Sequence, residues 1–118
     1  MLFATFDGHG QFGHLVSRYF QRHLCESVVK HPSWTTNPAK AMRDCMLQHE
    51  QELCQARGVD TSLSGTTAVF ALVRGDELTV LNAGDSRLIL GRRNNKARST
   101  HSSSFLLASI LPYILYLV

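Results

Sequence analysis

The stretch SGTTAVFALVRGDELTVLNAGDSRLILGRR, residues 64–93, decides the fold class of this chain. It is rich in β-branched and other apolar residues, and two Gly-Asp pairs interrupt it, which is typical of strands separated by turns. The pattern predicts three strands, at about residues 66–73, 77–82 and 86–91, with a hairpin turn at Arg74–Glu77 joining the first two. Because strands joined by short turns pair antiparallel, the stretch predicts an antiparallel sheet.

Upstream of this sheet, the apolar residues recur every three or four positions, which indicates two helices. The first helix is predicted to run from Gly13 to about His31. The second follows Asn37, an N-cap candidate, has Pro38 at its first position and fades near Gly58. The stripes predicted to be apolar and buried are Leu15, Val16, Tyr19, Phe20, His23, Leu24 and Val28 on the first helix, and Ala41, Met42, Cys45, Met46, His49 and Leu53 on the second.

The chain opens with a short apolar stretch, residues 2–6, which is predicted to be the end of a buried strand and is followed by Asp7-Gly8-His9-Gly10. Gly8 would let the backbone bend so that its carbonyl faces the same point as the Asp7 carboxylate. Mg²⁺ and Mn²⁺ prefer such oxygen ligands, and His9 is close enough for proton transfer to a substrate. Taken alone, these residues have a second interpretation, a plain Asp-Gly turn with an exposed histidine.

Residues 99–118 differ in composition from the rest of the chain, because a Ser cluster is followed by an apolar stretch. The apolar part, residues 105–118, contains Pro112 and is shorter than the roughly 20 apolar residues of a membrane-spanning helix. We therefore expect this segment either to pack on the domain or to be an end foreign to the fold. A membrane tail anchor is the alternative.

Composition and charge limit the class of protein. Hydrophobic residues make up 44% and charged residues 18% of the chain, which is typical of a globular protein. The net charge is +3. The basic residues cluster only near residues 92–98, without the interleaved aromatic residues of a nucleic-acid surface, so we expect no nucleic-acid partner.

The cysteines favour a reducing compartment. Cys25, Cys45 and Cys54 are odd in number and lack the spacing of zinc ligands, so neither a disulfide framework nor a zinc site is expected. The first residues lack the charged start and apolar core of a signal peptide. We therefore expect an intracellular protein, cytoplasmic or nuclear.

Three motifs occur in a particular order: FDGHG at residues 6–10, SGTTAV at 64–69 and NAGDSR at 82–87, with the predicted helix pair between the first two. Together they resemble the PPM family, the metal-dependent protein serine/threonine phosphatases of type 2C, over residues 2–98. The resemblance implies an α+β fold, an α/β/β/α sandwich of antiparallel sheets flanked by helices. This chain would contain only part of that sandwich, because it corresponds to an N-terminal-to-middle fragment of the family's domain. Residues 1–98 would be a partial phosphatase domain and residues 99–118 a divergent tail.

The resemblance also implies a reaction, the hydrolysis of phosphoserine and phosphothreonine in protein substrates. Asp7 would bridge two Mg²⁺ or Mn²⁺ ions, and the Gly8 carbonyl would bind one of them. His9 would protonate the leaving oxygen while a water between the metals attacks phosphorus. The resemblance implies structural roles for residues 65–68 and for the turn at residues 84–85, with a direct metal-ligand role for Asp85 as the alternative.

Parts of the family pattern have no counterpart in this sequence. The family's phosphate-binding Arg and its acidic neighbours lie well upstream of the DGHG turn, whereas only six residues precede Asp7. Its further aspartate ligands lie downstream, whereas residues 86–118 contain no Asp or Glu. We therefore expect the chain alone to be a truncated, weakly active or inactive phosphatase, monomeric if complete. The alternatives are a non-catalytic interaction module and a tail-anchored remnant of the family.

Overall fold

A computed structural model describes residues 1–56, 60–92, 97–100, 104–109 and 113–117. The chain forms two compact units, one made of Phe6–Thr66 and the other of Met1–Thr5 with Thr67–Val118. Within the described residues, two helices and small antiparallel sheets build these units. The predicted α+β class is confirmed.

The unit Phe6–Thr66 contains both helices. Helix α1 spans Gly13–Lys30 and helix α2 spans Pro38–Gln55, close to the predicted bounds. Two short strands, β2 (Gly8–His9) and β3 (Gly65–Thr66), pair antiparallel in the same unit.

The buried faces of the helices follow the predicted apolar stripes. The residues buried on α1 are Gly13, Val16, Phe20, Leu24 and Val28, and those buried on α2 are Ala41, Met42, Cys45, His49 and Leu53. Leu15 and His23, which were predicted to belong to the first stripe, are instead exposed, Leu15 to 37%. Cys25, Cys45 and Cys54 are free thiols.

Asn37 caps α2 as the sequence predicts. Its side-chain Oδ1 accepts a hydrogen bond from the backbone N–H of Lys40 at 3.0 Å, and Pro38 is the first helical residue. The cap satisfies one of the N–H groups that a helix leaves without an internal partner at its start.

Replacing Asn37 with Ala is expected to lower the free energy of unfolding by about 1 kcal/mol, because the Lys40 N–H loses its acceptor. Urea unfolding, followed through the fluorescence of the single tryptophan, Trp34, measures the change. Asn37→Asp keeps an acceptor and is the matched control, which should stay close to the unchanged chain. An equal loss in both variants would contradict the cap.

The second unit holds a four-stranded sheet in the order β1-β4-β5-β8. Its strands are β1 (Leu2–Thr5), β4 (Ala68–Arg74), β5 (Glu77–Ala83) and β8 (Ser104–Ser109), and all neighbours are antiparallel. The hairpin between β4 and β5 closes where it was predicted, with Arg74 opposite Glu77.

A three-stranded antiparallel sheet in the order β7-β6-β9 completes this unit. It consists of β6 (Leu88–Arg92), β7 (Ala97–Thr100) and β9 (Tyr113–Leu117). One apolar cluster joins the two sheets, because residues of β4 and β5 share it with residues of β6. Its buried members are Val69, Ala71, Leu78, Val80, Leu88 and Leu90.

Three details of the predicted strands are wrong. Strand β1 is the outermost strand of its sheet and is only half-buried, with Phe3 41% exposed, because a strand with one neighbour leaves its side chains partly open to water. The strand predicted at 66–73 is interrupted at Thr67, so that β3 and β4 belong to different sheets. The third predicted strand begins at Leu88 rather than Ser86.

The segment predicted as a divergent tail, residues 99–118, includes the end of β7 together with β8 and β9. Strand β8 pairs with β5, and β9 pairs with β6. In the part of the chain that the structure describes, no helix is both long and apolar enough to cross a membrane.

Candidate active site

The residues of the DGHG turn lie at the edge of the small β2–β3 sheet. Asp7 directly precedes β2, in which Gly8 pairs with Thr66 and His9 pairs with Gly65. Asp7, Gly8 and His9 are all exposed. The structure thus brings the predicted site residues against the first half of the SGTT motif, more than 50 positions further along the chain.

Gly8 and Gly13 approach each other through their backbones. A Cβ added at Gly8 would lie 2.2 Å from the carbonyl oxygen of Gly13, and a Cβ added at Gly13 would lie 2.6 Å from the carbonyl carbon of Gly8. Neither position can therefore hold a side chain without moving backbone. This contact fixes the DGHG turn against the first residue of α1.

Gly10 makes a second close approach on the other side of the turn. Its φ is +79°, and a Cβ there would lie 2.0 Å from the carbonyl oxygen of Leu63. Beside it, the N–H of Phe12 donates a hydrogen bond to Oγ of Ser64 at 3.0 Å. The backbone of Gly10 thus lies close to Leu63 and Ser64.

The imidazole of His9 lies over Gly65. A Cβ added at Gly65 would be 2.8 Å from His9 Nε2 and 3.0 Å from Cε1. Any larger residue at position 65 would displace the ring. Sequence reasoning missed this role of Gly65, although a glycine beginning a strand is itself a signal that something approaches closely.

The NAGDSR motif lies in the other compact unit, where its first two residues end β5 and the others follow that strand. Gly84 has a φ of +98°, and a Cβ there would lie 2.9 Å from Thr67 Cγ2. The hydroxyls of Thr67 and Ser86 are 2.6 Å apart, and Asn82 Nδ2 donates to the Ser86 carbonyl at 3.0 Å. These contacts account for the turn predicted at Gly84. Asp85 is exposed, and a ligand role for it stays a prediction.

The oxygen donors of the DGHG turn are of the kind that binds a divalent cation, but they are few. The carboxylate of Asp7 and the backbone carbonyl of Gly8 are ligands that Mg²⁺ and Mn²⁺ prefer. Within the described residues, however, no three His, Cys, Asp or Glu side chains lie where they could together hold a metal ion.

Comparisons with known proteins agree on one family. The family model described as protein phosphatase 2C matches residues 1–104. The chain is 36% identical over 94 residues to probable protein phosphatase 2C 71 of Arabidopsis thaliana, a match that covers 80% of this chain and 21% of the relative. It is 44% identical over 103 residues to probable protein phosphatase 2C 5 of Paramecium tetraurelia, a match that covers 77% of this chain and 34% of the relative.

A solved structure shows the same fold. The serine-threonine phosphatase 2C from Toxoplasma gondii superposes with a TM-score of 0.68 at 19% sequence identity, over 92% of this chain and 39% of that chain. The present chain therefore spans only a minor part of the proteins it matches, between 21% and 34% of the length of the two relatives.

Proposed function

This chain belongs to the protein phosphatase 2C family, and we propose that it carries part of a catalytic centre that hydrolyses phosphoserine and phosphothreonine in protein substrates. Members of the family are serine/threonine phosphatases. The observation that supports the proposal is the way in which glycine contacts and the β2–β3 pairing hold Asp7, Gly8 and His9 together at an exposed edge.

Asp7 and Gly8 are the proposed metal-binding residues. The carboxylate of Asp7 and the carbonyl of Gly8 would each contribute an oxygen ligand to Mg²⁺ or Mn²⁺, with two ions in the complete site. When bound, such ions would neutralise charge on the phosphoryl group and make a neighbouring water more acidic. The close approach of Gly8 and Gly13 keeps the Gly8 carbonyl near the N-terminus of α1.

His9 is the proposed general acid. Its ring lies against Gly65, where there is no side chain between the imidazole and the backbone. From an exposed site of this kind, an imidazolium can deliver a proton to the serine or threonine oxygen as the phosphorus–oxygen bond breaks. The proton ends on the alcohol, and His9 is left neutral until it is reprotonated by water.

The chain alone is proposed to hold too few ligands for efficient turnover. Asp7 provides a single carboxylate, and hard cations lose their hydration reluctantly when so few protein ligands replace it. We propose residues 1–98 as the partial phosphatase domain and residues 99–118 as a divergent tail, although the family model extends into this tail as far as residue 104.

Hydrolysis of a phosphothreonine peptide in Mn²⁺ tests the proposal on the full chain. Turnover is expected to be at least about 100-fold slower than that of a complete relative, because most metal ligands are missing. The Asp7→Ala variant should lose any residual turnover of the full chain. Turnover as fast as the complete relative would contradict a partial site, and turnover that Asp7→Ala leaves unchanged would contradict the assignment of Asp7.

A further inference from the structure

An open groove between α1 and α2 lies within the unit Phe6–Thr66, and the phosphatase proposal does not use it. Its cavity has a volume of about 280 Å³, and its surface is predominantly apolar. The first part of α1 forms one side, and the end of α2 forms the other. A cavity of this size is small for a whole organic ligand, so it suits a single inserted side chain.

The floor of the groove consists of apolar and aromatic side chains. Leu15, Tyr19 and His23 come from α1, and the rings of Tyr19 and His23 pack with their centroids 4.8 Å apart. Leu53, which is 6% exposed, comes from α2. Ala56, the C-cap residue of α2, also lines the groove and contributes only a methyl group. A larger side chain at position 56 has room to extend into the cavity.

The rim of the groove is basic. Arg18 and Arg22 both line it, and both are exposed. Because they are four residues apart on α1, they lie on the same face of the helix with their Cβ atoms roughly 5–6 Å apart. Two like charges at this spacing repel each other. A ligand that carries negative charge would relieve this repulsion.

The described part of the chain does not neutralise this rim with its own acidic side chains. Among the described residues, neither arginine forms an ion pair. Glu26, one turn further along α1, is paired with Lys30 instead. Glu52 accepts a hydrogen bond from Tyr19 and does not line the groove. The positive charge of the rim is therefore available to an external anion.

We propose that this groove binds an acidic amphipathic helix of a partner protein. An apolar side chain of that helix enters the cavity, and two of its carboxylates contact Arg18 and Arg22. Each guanidinium can hold a carboxylate through two N–H donors. Carboxylates four residues apart on the partner helix match the spacing of the two arginines, which also lie four residues apart on a helix.

The shape and charge of the groove favour a protein segment over other anionic partners. A membrane surface is bound by an apolar face that enters the lipid, whereas the apolar side chains here line a cavity. Nucleic acid is held by many phosphate contacts, whereas only two arginines line this rim. An inorganic anion would use the arginines and leave the apolar floor in water. A ligand that presents carboxylates beside an apolar side chain uses both parts of the groove.

Fluorescence anisotropy of a labelled synthetic peptide tests the proposal on the full chain. The probe is a helical peptide with two glutamates four residues apart and a leucine on the neighbouring face, and its matched control has lysines in place of the glutamates. The glutamate peptide is expected to bind at least about tenfold more tightly, as for two exposed ion pairs. Equal affinity of the two peptides, or a Kd of the glutamate peptide above about 1 mM, would overturn the proposal.

Arg22→Ala tests the basic rim. The exposed position tolerates alanine, which is a good helix former, and the variant should bind the glutamate peptide about fivefold more weakly because one ion pair is lost. Arg43→Ala is the matched control, since it removes the same charge from an exposed arginine of α2 that does not line the groove. An equal loss in the two variants would mean that only net charge matters, which would overturn the proposal.

Ala56→Leu tests the cavity without changing the charge of the chain. The added side chain should occupy the space of the peptide's leucine, so affinity for the glutamate peptide is expected to fall at least about tenfold. Replacing that leucine with alanine in the peptide should cost as much with the unchanged chain, which keeps the test available if Ala56→Leu does not fold. The two changes together should cost less than their sum, because both remove the same contact. Unchanged affinity after either change would overturn the proposal.

A membrane surface is the other outcome that these experiments must separate. Vesicles of phosphatidylcholine and phosphatidylserine carry negative charge but present no side chain to the cavity, so they should not sediment with the chain. Sedimentation with the vesicles that Arg22→Ala abolishes, together with failure of the glutamate peptide to bind, would overturn the protein partner in favour of a lipid surface.

Discussion

Gly10→Ala is expected to lower the free energy of unfolding by about 2–3 kcal/mol more than Gly75→Ala does. The two positions form a matched pair, because both are exposed glycines with positive φ, +79° at Gly10 and +62° at Gly75. Each alanine therefore suffers a similar left-handed backbone strain of about 1–2 kcal/mol. The difference between them lies in what the new methyl group meets.

At Gly10 the new methyl group meets backbone, and at Gly75 it meets open space. A Cβ at Gly10 would be 2.0 Å from the Leu63 carbonyl oxygen, and the nearest Ser64 atom would be 2.8 Å away. Around Gly75 nothing lies within 4 Å. Because backbone cannot rotate aside as a flexible side chain can, Gly10→Ala must separate the DGHG turn from the segment before β3.

Urea unfolding of both variants measures the difference. The Gly10 variant should also lose protection from amide hydrogen exchange at Phe12, whose N–H donates to Ser64. Equal destabilisation of the two variants would mean that the turn and the 63–64 segment are not held together in solution. It would also remove the structural support for the proposed active site.

Local signals were sufficient to predict the helices and the hairpin. Asn37-Pro38 marks the start of α2 whatever the rest of the chain does, and the hairpin between Arg74 and Glu77 depends on a glycine that occupies a positive φ. In both cases the deciding interactions are made within a few residues. Elements of this kind can be predicted from a short stretch of sequence because they do not depend on a distant partner.

Long-range contacts could not be predicted in the same way. The break at Thr67 separates β3 from β4, although both lie in one continuous run of strand-forming residues. The break arises because β3 pairs with β2 and not with β5. The half-buried state of β1 depends on its place at the edge of the sheet, which an apolar run does not reveal. Likewise, the contact between His9 and Gly65 joins two motifs whose separation hides it from any local pattern.

The largest effect on activity is expected from Asp7→Asn in a complete catalytic domain. In a complete 2C relative, the segment that matches residues 1–92 can be replaced by residues 1–92 of this chain. The rest of the relative then supplies the ligands that this chain is proposed to lack. In this chimera, Asp7→Asn should lower kcat/KM by at least about 100-fold, because losing a charged ligand removes several kcal/mol of metal-dependent stabilisation. The asparagine keeps the size and one oxygen of the aspartate, so the change tests its charge.

Asp76→Asn is the matched control. Asp76 is an exposed aspartate in the hairpin between β4 and β5, so the substitution removes the same charge from the chimera away from the DGHG turn. Its kcat/KM and its uptake of Mn²⁺ should remain within about twofold of the parent chimera, as for surface substitutions elsewhere. A comparable loss in both variants would show that net charge, and not a metal ligand, is what the chimera needs.

His9→Gln separates proton delivery from metal binding in the same chimera. The glutamine can still occupy the space over Gly65 but cannot supply a proton to a leaving alkoxide, so kcat should fall about 100-fold. Mn²⁺ uptake measured by calorimetry should not change, whereas Asp7→Asn should weaken it together with turnover. If calorimetry detects the same Mn²⁺ uptake with aspartate or asparagine at position 7, the carboxylate is not a ligand. The DGHG turn would then position His9 and the backbone without holding a cation.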